Sequence, residues 1–136
     1  MICLDTNAVI ASINRRAPGV QRRLEAALVD GLTVGVPTIV LYELWYGIRK
    51  SVRVEANTVA LGAFLTLAVT PWPFEPSDAE EAGDIRATLE RAGTPIGPHD
   101  VLIAAQARQR GATLVTANTG DFNRVPGLRT EDWTAP

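Results

Sequence analysis

The chain has 136 residues, of which 46% are hydrophobic and 21% charged, so it suits one ordinary domain with a buried core. Thirteen basic and fifteen acidic side chains give a net charge of −2, which excludes a strongly basic nucleic-acid-coating protein and an acidic tail protein. A single cysteine, Cys3, and a single histidine, His99, exclude a disulfide scaffold, a cysteine zinc site and a His-rich metal site. Any catalytic metal would therefore be held mainly by oxygen ligands.

Short apolar runs alternate with helical patterns along the chain. This alternation predicts an α/β fold, a single domain over residues 1–136 with a mainly parallel central sheet flanked by helices in three layers. The predicted strands are residues 2–4, 32–36, 68–70 and 113–116, with a final extended piece near 128–130. The predicted helices are residues 20–29, 38–47, 54–67, 77–93 and 98–110, with Thr38 as an N-cap and a capping box at 77–80.

The N-terminus carries no basic segment and reaches an acid at Asp5, so we predict no signal peptide. No run of about 18 uninterrupted apolar residues is present, so we predict no membrane span. Together with the lone thiol, these features favour a cytoplasmic location.

Two aspartates follow predicted strands, at the edge of a parallel sheet where ligands bind. Asp5 comes directly after the first strand. Asp121 follows the strand 113–116 in a turn-rich loop, and Thr116 and Asn118 supply neutral oxygens in the same loop. A turn or helix-cap role is the alternative for each aspartate.

Two further acids lie on predicted helices. Glu43 stands inside the apolar run 39–46 with no Lys or Arg within four residues, so no local ion pair accounts for it. A half-exposed position on a helix edge is the alternative. Asp100 lies in the first turn of the helix that begins near Pro98, where the helix dipole favours an acid.

Several carboxylates at one edge of a sheet would repel each other and raise each other's pKa. A hard divalent cation relieves that repulsion, and oxygen ligands suit Mg²⁺ or Mn²⁺. Such sites support phosphoryl or phosphodiester transfer.

A series of short motifs resembles the PIN domain family in chain order. They are Leu4-Asp5-Thr6-Asn7; Glu43; Asp100 with Ile103-Ala104-Ala105; Leu114-Val115-Thr116-Ala117-Asn118 ahead of Asp121-Phe122; and Val125-Pro126-Gly127-Leu128. The likeness covers essentially the whole chain with nothing appended, as in the VapC-type toxins of bacterial toxin–antitoxin pairs.

The resemblance implies a Mg²⁺- or Mn²⁺-dependent endoribonuclease toxin that a cognate VapB-type antitoxin neutralises and that forms a homodimer. It implies that Asp5 and Asp100 are the most dependable metal ligands, and that Glu43 is the third acid. Asp121 corresponds to a fourth, more variable acid, a duty that Asn118 could share.

The same resemblance implies supporting roles for polar neighbours of the acids. Thr6 and Asn7 would orient Asp5, with Thr116 and Asn118 close by. Basic side chains near the acids are candidates for contacts with the RNA backbone, with plain surface solvation as the alternative. They are Arg15, Arg16, Arg22, Arg23, Arg49, Lys50 and Arg53.

Aromatic residues make up only 6% of the chain, so no stacking platform for single-stranded RNA is evident from composition. We predict that Leu44, Trp45, Tyr46 and Ile48 belong to the core or to an interface. If the chain is a PIN-domain toxin, such residues would partly line an apolar groove for an antitoxin helix.

Two other functions compete with the nuclease. A catalytically weak binding module could keep the PIN fold and act through its antitoxin or RNA partner, although the presence of all four acids argues against it. An aspartyl-phosphate receiver or phosphatase needs a second Asp beside the nucleophile and a suitable lysine. Here Asp5 precedes Thr6 and Asn7, and the only lysine, Lys50, is poorly placed.

Overall fold

Five short parallel strands form the central sheet in the computed structural model, which describes residues 1–15 and 17–135. They are β1 (Ile2–Leu4), β2 (Val34–Pro37), β3 (Val69–Trp72), β4 (Thr113–Val115) and β5 (Arg129–Glu131). The strand order is β3-β2-β1-β4-β5, and each neighbouring pair is parallel. The predicted α/β class with a mainly parallel sheet is confirmed, and β1 occupies the centre.

Helices connect the strands and flank the sheet. They are α1 (Thr6–Asn14), α2 (Pro18–Val29), α3 (Thr38–Lys50), α4 (Val54–Leu65), α5 (Pro76–Arg91), α6 (Pro98–Gln109) and α7 (Thr119–Phe122). Helix α1 and the short α7 lie in segments that the sequence indicated only as polar connections. Of the helices described, none is both long and apolar enough to cross a membrane.

Two predicted helix starts were wrong in detail. Helix α3 begins at Thr38 itself, with Pro37 as the N-cap residue, so Thr38 is not a cap. Helix α5 begins at Pro76, and Asp78 is the residue that reaches back, accepting the Glu75 N–H at 2.8 Å. The capping interaction is therefore displaced by two residues from the predicted one.

A cluster of contacts around Trp72 holds the β3 edge of the sheet in place. The Trp72 ring lies against the backbone of Gly35, where an added Cβ would come within 1.9 Å of the ring atom Cε2. The Arg110 guanidinium lies 4.9 Å from the centroid of the same ring and forms two hydrogen bonds, of 2.7 and 3.2 Å, to the fully buried Asp78. Gln106 donates to the Trp72 carbonyl at 3.1 Å. Helices α5 and α6 are thereby tied to β3.

Candidate active site

Asp5 is the single residue between β1 and α1, at the carboxyl end of the central strand. It is the N-cap of α1: its Oδ1 accepts the Thr6 N–H at 2.7 Å. Its Oδ2 accepts the Thr116 hydroxyl at 2.8 Å and the Asn7 side-chain amide at 3.3 Å. The carboxylate is buried, and donors from α1 and from Thr116, which follows β4, fix its orientation.

Burial raises the pKa of Asp5 above its ordinary value, and the charge of Glu43 adds to this shift. The hydrogen bonds from Thr116 and Thr6 act in the opposite direction, because they stabilise the ionised form. The site therefore keeps a carboxylate in a poorly solvated position by surrounding it with donors.

Glu43 finds its partners far away in the sequence. The Thr6 hydroxyl donates to its Oε1 at 3.0 Å, and Nδ1 of His99 lies 3.9 Å from its Oε2. Glu43 has no local ion pair, and its polar neighbours come instead from α1 and α6. Neither contact could be derived from the spacing along α3.

Asp100 lies in the first turn of α6, as predicted. Burial, together with the negative charges of Asp5, Glu43 and Asp121, raises the pKa of Asp100 to about 6, and the charge of His99 opposes this. Hydrogen bonds connect Asp5 to Glu43 through Thr6 and to Asp121 through Thr116 and Asn118, while His99, the neighbour of Asp100, lies 3.9 Å from Glu43. The four acids thus occupy one neighbourhood, although they come from four separate segments. We refer to this neighbourhood of Asp5, Glu43, Asp100 and Asp121 as the four-acid edge.

The loop after β4 completes this edge of the sheet. The Asn118 side-chain amide donates to Oδ2 of Asp121 at 3.2 Å, and the Arg124 guanidinium lies 3.5 Å from Oδ1 of Asp121. The Thr116 hydroxyl, which donates to Asp5, also accepts the Asn118 N–H at 3.0 Å. Asp121 is therefore partly neutralised, and Asn118 and Thr116 connect it to Asp5.

The donor chemistry of this edge fits a hard divalent cation. Within the described part of the chain, no Lys or Arg forms an ion pair with Asp5, Glu43 or Asp100. Of the four acids, Asp121 alone pairs with an arginine there, namely Arg124. The described residues contain no ready-made cluster of three metal-binding side chains. Asp5, Glu43 and Asp100 therefore carry negative charge that no described Lys or Arg offsets.

The basic candidates lie in different parts of the structure. Arg49 and Lys50 lie in the last turn of α3, the helix that carries Glu43, and Arg53 is the N-cap residue of α4. Exposed Arg22 and Arg23 line a separate surface pocket. Arg15 ends α1 in a left-handed conformation, and the candidate Arg16 lies outside the described residues.

The apolar residues of α3 also divide. Leu44 and Ile48 are buried, whereas Trp45 and Tyr46 are exposed. A largely apolar cavity of about 300 Å³ lies beside Glu43, between α1, α3 and α4, and is lined in part by Ile10, Ile13, Leu44, Gly47, Ile48 and Leu61. The sequence did not single out Tyr42, Arg124 or the contact of His99 with Glu43, and only the position of His99 next to Asp100 signalled any of these.

The chain matches the PIN domain family over residues 2–128. It is 40% identical over 131 residues to the tRNA(fMet)-specific endonuclease VapC of Shigella flexneri. It is 38% identical over 130 residues to ribonuclease VapC2 of Rickettsia felis. Each alignment covers 96% of this chain and 96% of the relative.

Solved structures agree with these relatives. VapBC2 from Rickettsia felis, bound to a DNA fragment from its promoter, superposes with a TM-score of 0.91 and 36% identity, over 98% of this chain and 99% of that one. DNA-bound VapBC from Salmonella typhimurium gives a TM-score of 0.88 and 36% identity, over 97% of both chains.

Proposed function

We propose that this chain, which belongs to the PIN domain family and within it to the VapC ribonucleases of toxin–antitoxin pairs, hydrolyses RNA with Mg²⁺ or Mn²⁺ at the four-acid edge. One observation carries the metal dependence. Thr6 joins the buried Asp5 to Glu43 through its N–H and its hydroxyl, and among the described residues no Lys or Arg pairs with Asp5, Glu43 or Asp100. A divalent cation is the natural counter-charge for such a group of oxygens.

Asp5, Glu43 and Asp100 would hold the cation, and either Asp121 or Asn118 would act as the fourth site residue. When bound, the cation lowers the pKa of an attacking water and offsets the charge that builds on the phosphodiester oxygens. The chain's own donors prepare the site for it. Thr116, Asn7 and the Thr6 N–H orient Asp5, and the Thr6 hydroxyl orients Glu43.

The names of the relatives suggest the substrate. Two of them, from Shigella flexneri and Salmonella typhimurium, are named tRNA(fMet)-specific endonucleases. We therefore propose tRNA as the substrate class to test first, cleaved in the cytoplasm.

The similar structures suggest the partner, because they contain VapB together with VapC. We propose that a VapB-type antitoxin binds this chain and that the chain forms a homodimer. An apolar antitoxin helix would fit the cavity beside Glu43, where Ile10, Ile13 and Leu61 line the wall.

The decisive test compares purified wild-type chain with Asp5→Asn on tRNA, in Mn²⁺ and in EDTA. We expect cleavage by the wild type only when Mn²⁺ is present, and a loss of about 100-fold or more in Asp5→Asn. Asp30→Asn, at the exposed C-cap of α2, is the matched control and should cleave normally. Wild-type cleavage by a folded Asp5→Asn protein would overturn the mechanism.

Calorimetry with Mn²⁺ separates the nuclease from the binding module. The nuclease predicts metal binding by the wild type and weakened binding by Asp5→Asn. Undetectable Mn²⁺ binding combined with intact antitoxin binding would favour a module that acts through its partner alone.

A further inference from the structure

Helix α3 exposes three aromatic rings that have no part in holding the acids. Tyr42 is 57% exposed, Trp45 36% and Tyr46 59%. The other two tryptophans of the chain, Trp72 and Trp133, are only 7% and 5% exposed. Aromatic side chains contribute most when they are covered, so three exposed rings on one helix indicate a partner that covers them.

These rings form two adjacent lines along the helix, and each line ends in a cation. Residues four apart lie on the same helical face, about 6 Å apart along the axis, and Tyr42, Tyr46 and Lys50 follow this spacing. Trp45 and Arg49 form the neighbouring line. Lys50 Nζ lies 5.6 Å from the Tyr46 ring centroid, and the Arg49 guanidinium lies 5.8 Å from that of Trp45. We refer to these five residues as the aromatic–cation row.

The row begins at the acids. Tyr42 directly precedes Glu43, and its ring meets the His99 imidazole edge-on, with centroids 5.5 Å apart and planes at 86°. His99 in turn lies 3.9 Å from Glu43 and directly precedes Asp100. A ligand lying along the row would therefore reach the four-acid edge at its Tyr42 end.

The charge of the row indicates its occupant. Among the described residues, Arg49 and Lys50 pair with rings and with no carboxylate, so both remain available to an anion. Single-stranded nucleic acid alternates flat bases with phosphates, and proteins bind it through aromatic stacking beside positive charge. An apolar helix offers no anions, and a second copy of this chain offers carboxylates without the regular alternation of flat rings and anions that nucleic acid has.

We propose, on the basis of the proposed nuclease function, that the aromatic–cation row binds an unpaired segment of the RNA substrate. Bases stack on Tyr42, Trp45 and Tyr46, while Arg49 and Lys50 contact the phosphates between them. The row positions the strand so that a phosphodiester lies at the acids. Because stacking tolerates any base, this surface selects unpaired RNA rather than a sequence.

The first test measures binding without cleavage, in EDTA, with a single-stranded RNA of about 12 nucleotides. Trp45 is the one exposed tryptophan, so we expect this RNA to quench the intrinsic fluorescence and Trp45→Phe to lose that signal while still binding. Trp45→Ala and Tyr46→Ala should each bind roughly tenfold more weakly, measured by anisotropy of labelled RNA. Tyr46→Phe should restore the affinity.

Matched controls isolate the stacking and the charge. Val59→Ala removes an exposed apolar side chain from α4 and should leave the affinity unchanged. Lys50→Ala should reduce the slope of log affinity against log salt by about one unit, whereas Arg91→Ala, on α5, should not. Circular dichroism checks that every variant is folded.

The second test measures cleavage of tRNA, the proposed substrate, in Mn²⁺. Tyr46→Ala should raise KM several-fold with little change in kcat, because the row holds the strand and does not touch the reacting atoms. If the wild type binds the single-stranded RNA in EDTA but never cleaves tRNA in Mn²⁺, the nuclease proposal fails while the binding surface stands.

The aromatic–cation row is overturned if Trp45→Ala and Tyr46→Ala bind RNA as tightly as Val59→Ala does. It is also overturned if a double variant that combines Trp45→Ala with Tyr46→Ala loses dimer mass in sedimentation while its RNA affinity stays at the wild-type value. That result would mean that the rings pack against a second copy of the chain.

Discussion

The Thr6 hydroxyl donates a hydrogen bond of 3.0 Å to Oε1 of Glu43, across a separation of 37 residues. The backbone N–H of the same Thr6 donates to Oδ1 of Asp5 at 2.7 Å. One residue in the first turn of α1 therefore sets the relative position of an acid at the end of β1 and an acid on α3.

Thr6→Val tests whether this connection matters for the reaction. Valine keeps the shape and loses the hydroxyl, so Glu43 should lose its orientation while the fold is retained. We expect cleavage to fall by about 10- to 100-fold and the Mn²⁺ concentration for half-maximal rate to rise. Thr6→Ser keeps the hydroxyl and should stay near the wild-type rate. Equal rates in the valine and serine variants would rule out the positioning role.

Asp100→Asn should stabilise the metal-free protein at neutral pH. Burial and neighbouring acids raise the folded pKa of Asp100 from 3.8 to about 6, so the folded state binds more protons than the unfolded state between these values. Stability therefore falls as pH rises through this window, and the penalty is complete above it. With screening at this half-buried position taken into account, the substitution should add about 1 kcal/mol near pH 7.5 and little near pH 4.

Thermal unfolding in EDTA at both pH values checks this prediction. Glu80→Gln, which changes an exposed acid on α5, is the control and should shift Tm equally little at each pH. Adding Mn²⁺ should raise the Tm of the wild type much more than that of Asp100→Asn. A variant that is less stable than the wild type in EDTA near pH 7.5 would contradict the electrostatic account.

The sequence predicted the parts of the fold that local patterns specify. The apolar runs of β1 and β4 and the Pro98 start of α6 agree with the structure. Strand β3 runs on through Pro71, where the sequence indicated an end. Proline is tolerated there because β3 is an edge strand with a neighbour on one side only. The N–H that proline lacks is therefore not needed to pair with a second strand.

Contacts between distant segments account for what the sequence missed. Val9, Ile10 and Ile13 favour strand locally, yet α1 forms because Asp5 caps it and Val9 is buried in the core. Each acid of the candidate site has an ordinary local alternative, so it was their joint arrangement, and not any single acid, that indicated a site. The hydrogen bond between Thr6 and Glu43 and the exposure of Trp45 depend on tertiary packing, and no spacing rule contains them.

Gly35→Ala should severely destabilise the fold. The new Cβ would lie 1.9 Å from Cε2 of Trp72, a ring held between the β2 backbone and the Arg110 guanidinium, so the strand or the ring must move. We expect a loss of about 3 kcal/mol in urea-induced unfolding. Gly62→Ala, on the open face of α4, has no neighbour within 4 Å and should gain up to about 1 kcal/mol. Similar unfolding midpoints for the two variants would show that the Trp72 contact is not rigid.

Asp121→Asn should reduce cleavage much less than Asp5→Asn does. Asp121 already shares its charge with Arg124 at 3.5 Å and accepts the Asn118 amide at 3.2 Å, so it has less negative charge to offer a cation than the buried Asp5. We expect a loss of less than about 10-fold in Asp121→Asn, against about 100-fold or more in Asp5→Asn, in initial rates on tRNA at saturating Mn²⁺. Arg124→Ala frees the Asp121 carboxylate and should tighten Mn²⁺ binding in calorimetry. If Asp121→Asn proves as inactive as Asp5→Asn, then Asp121 is a full member of the metal site.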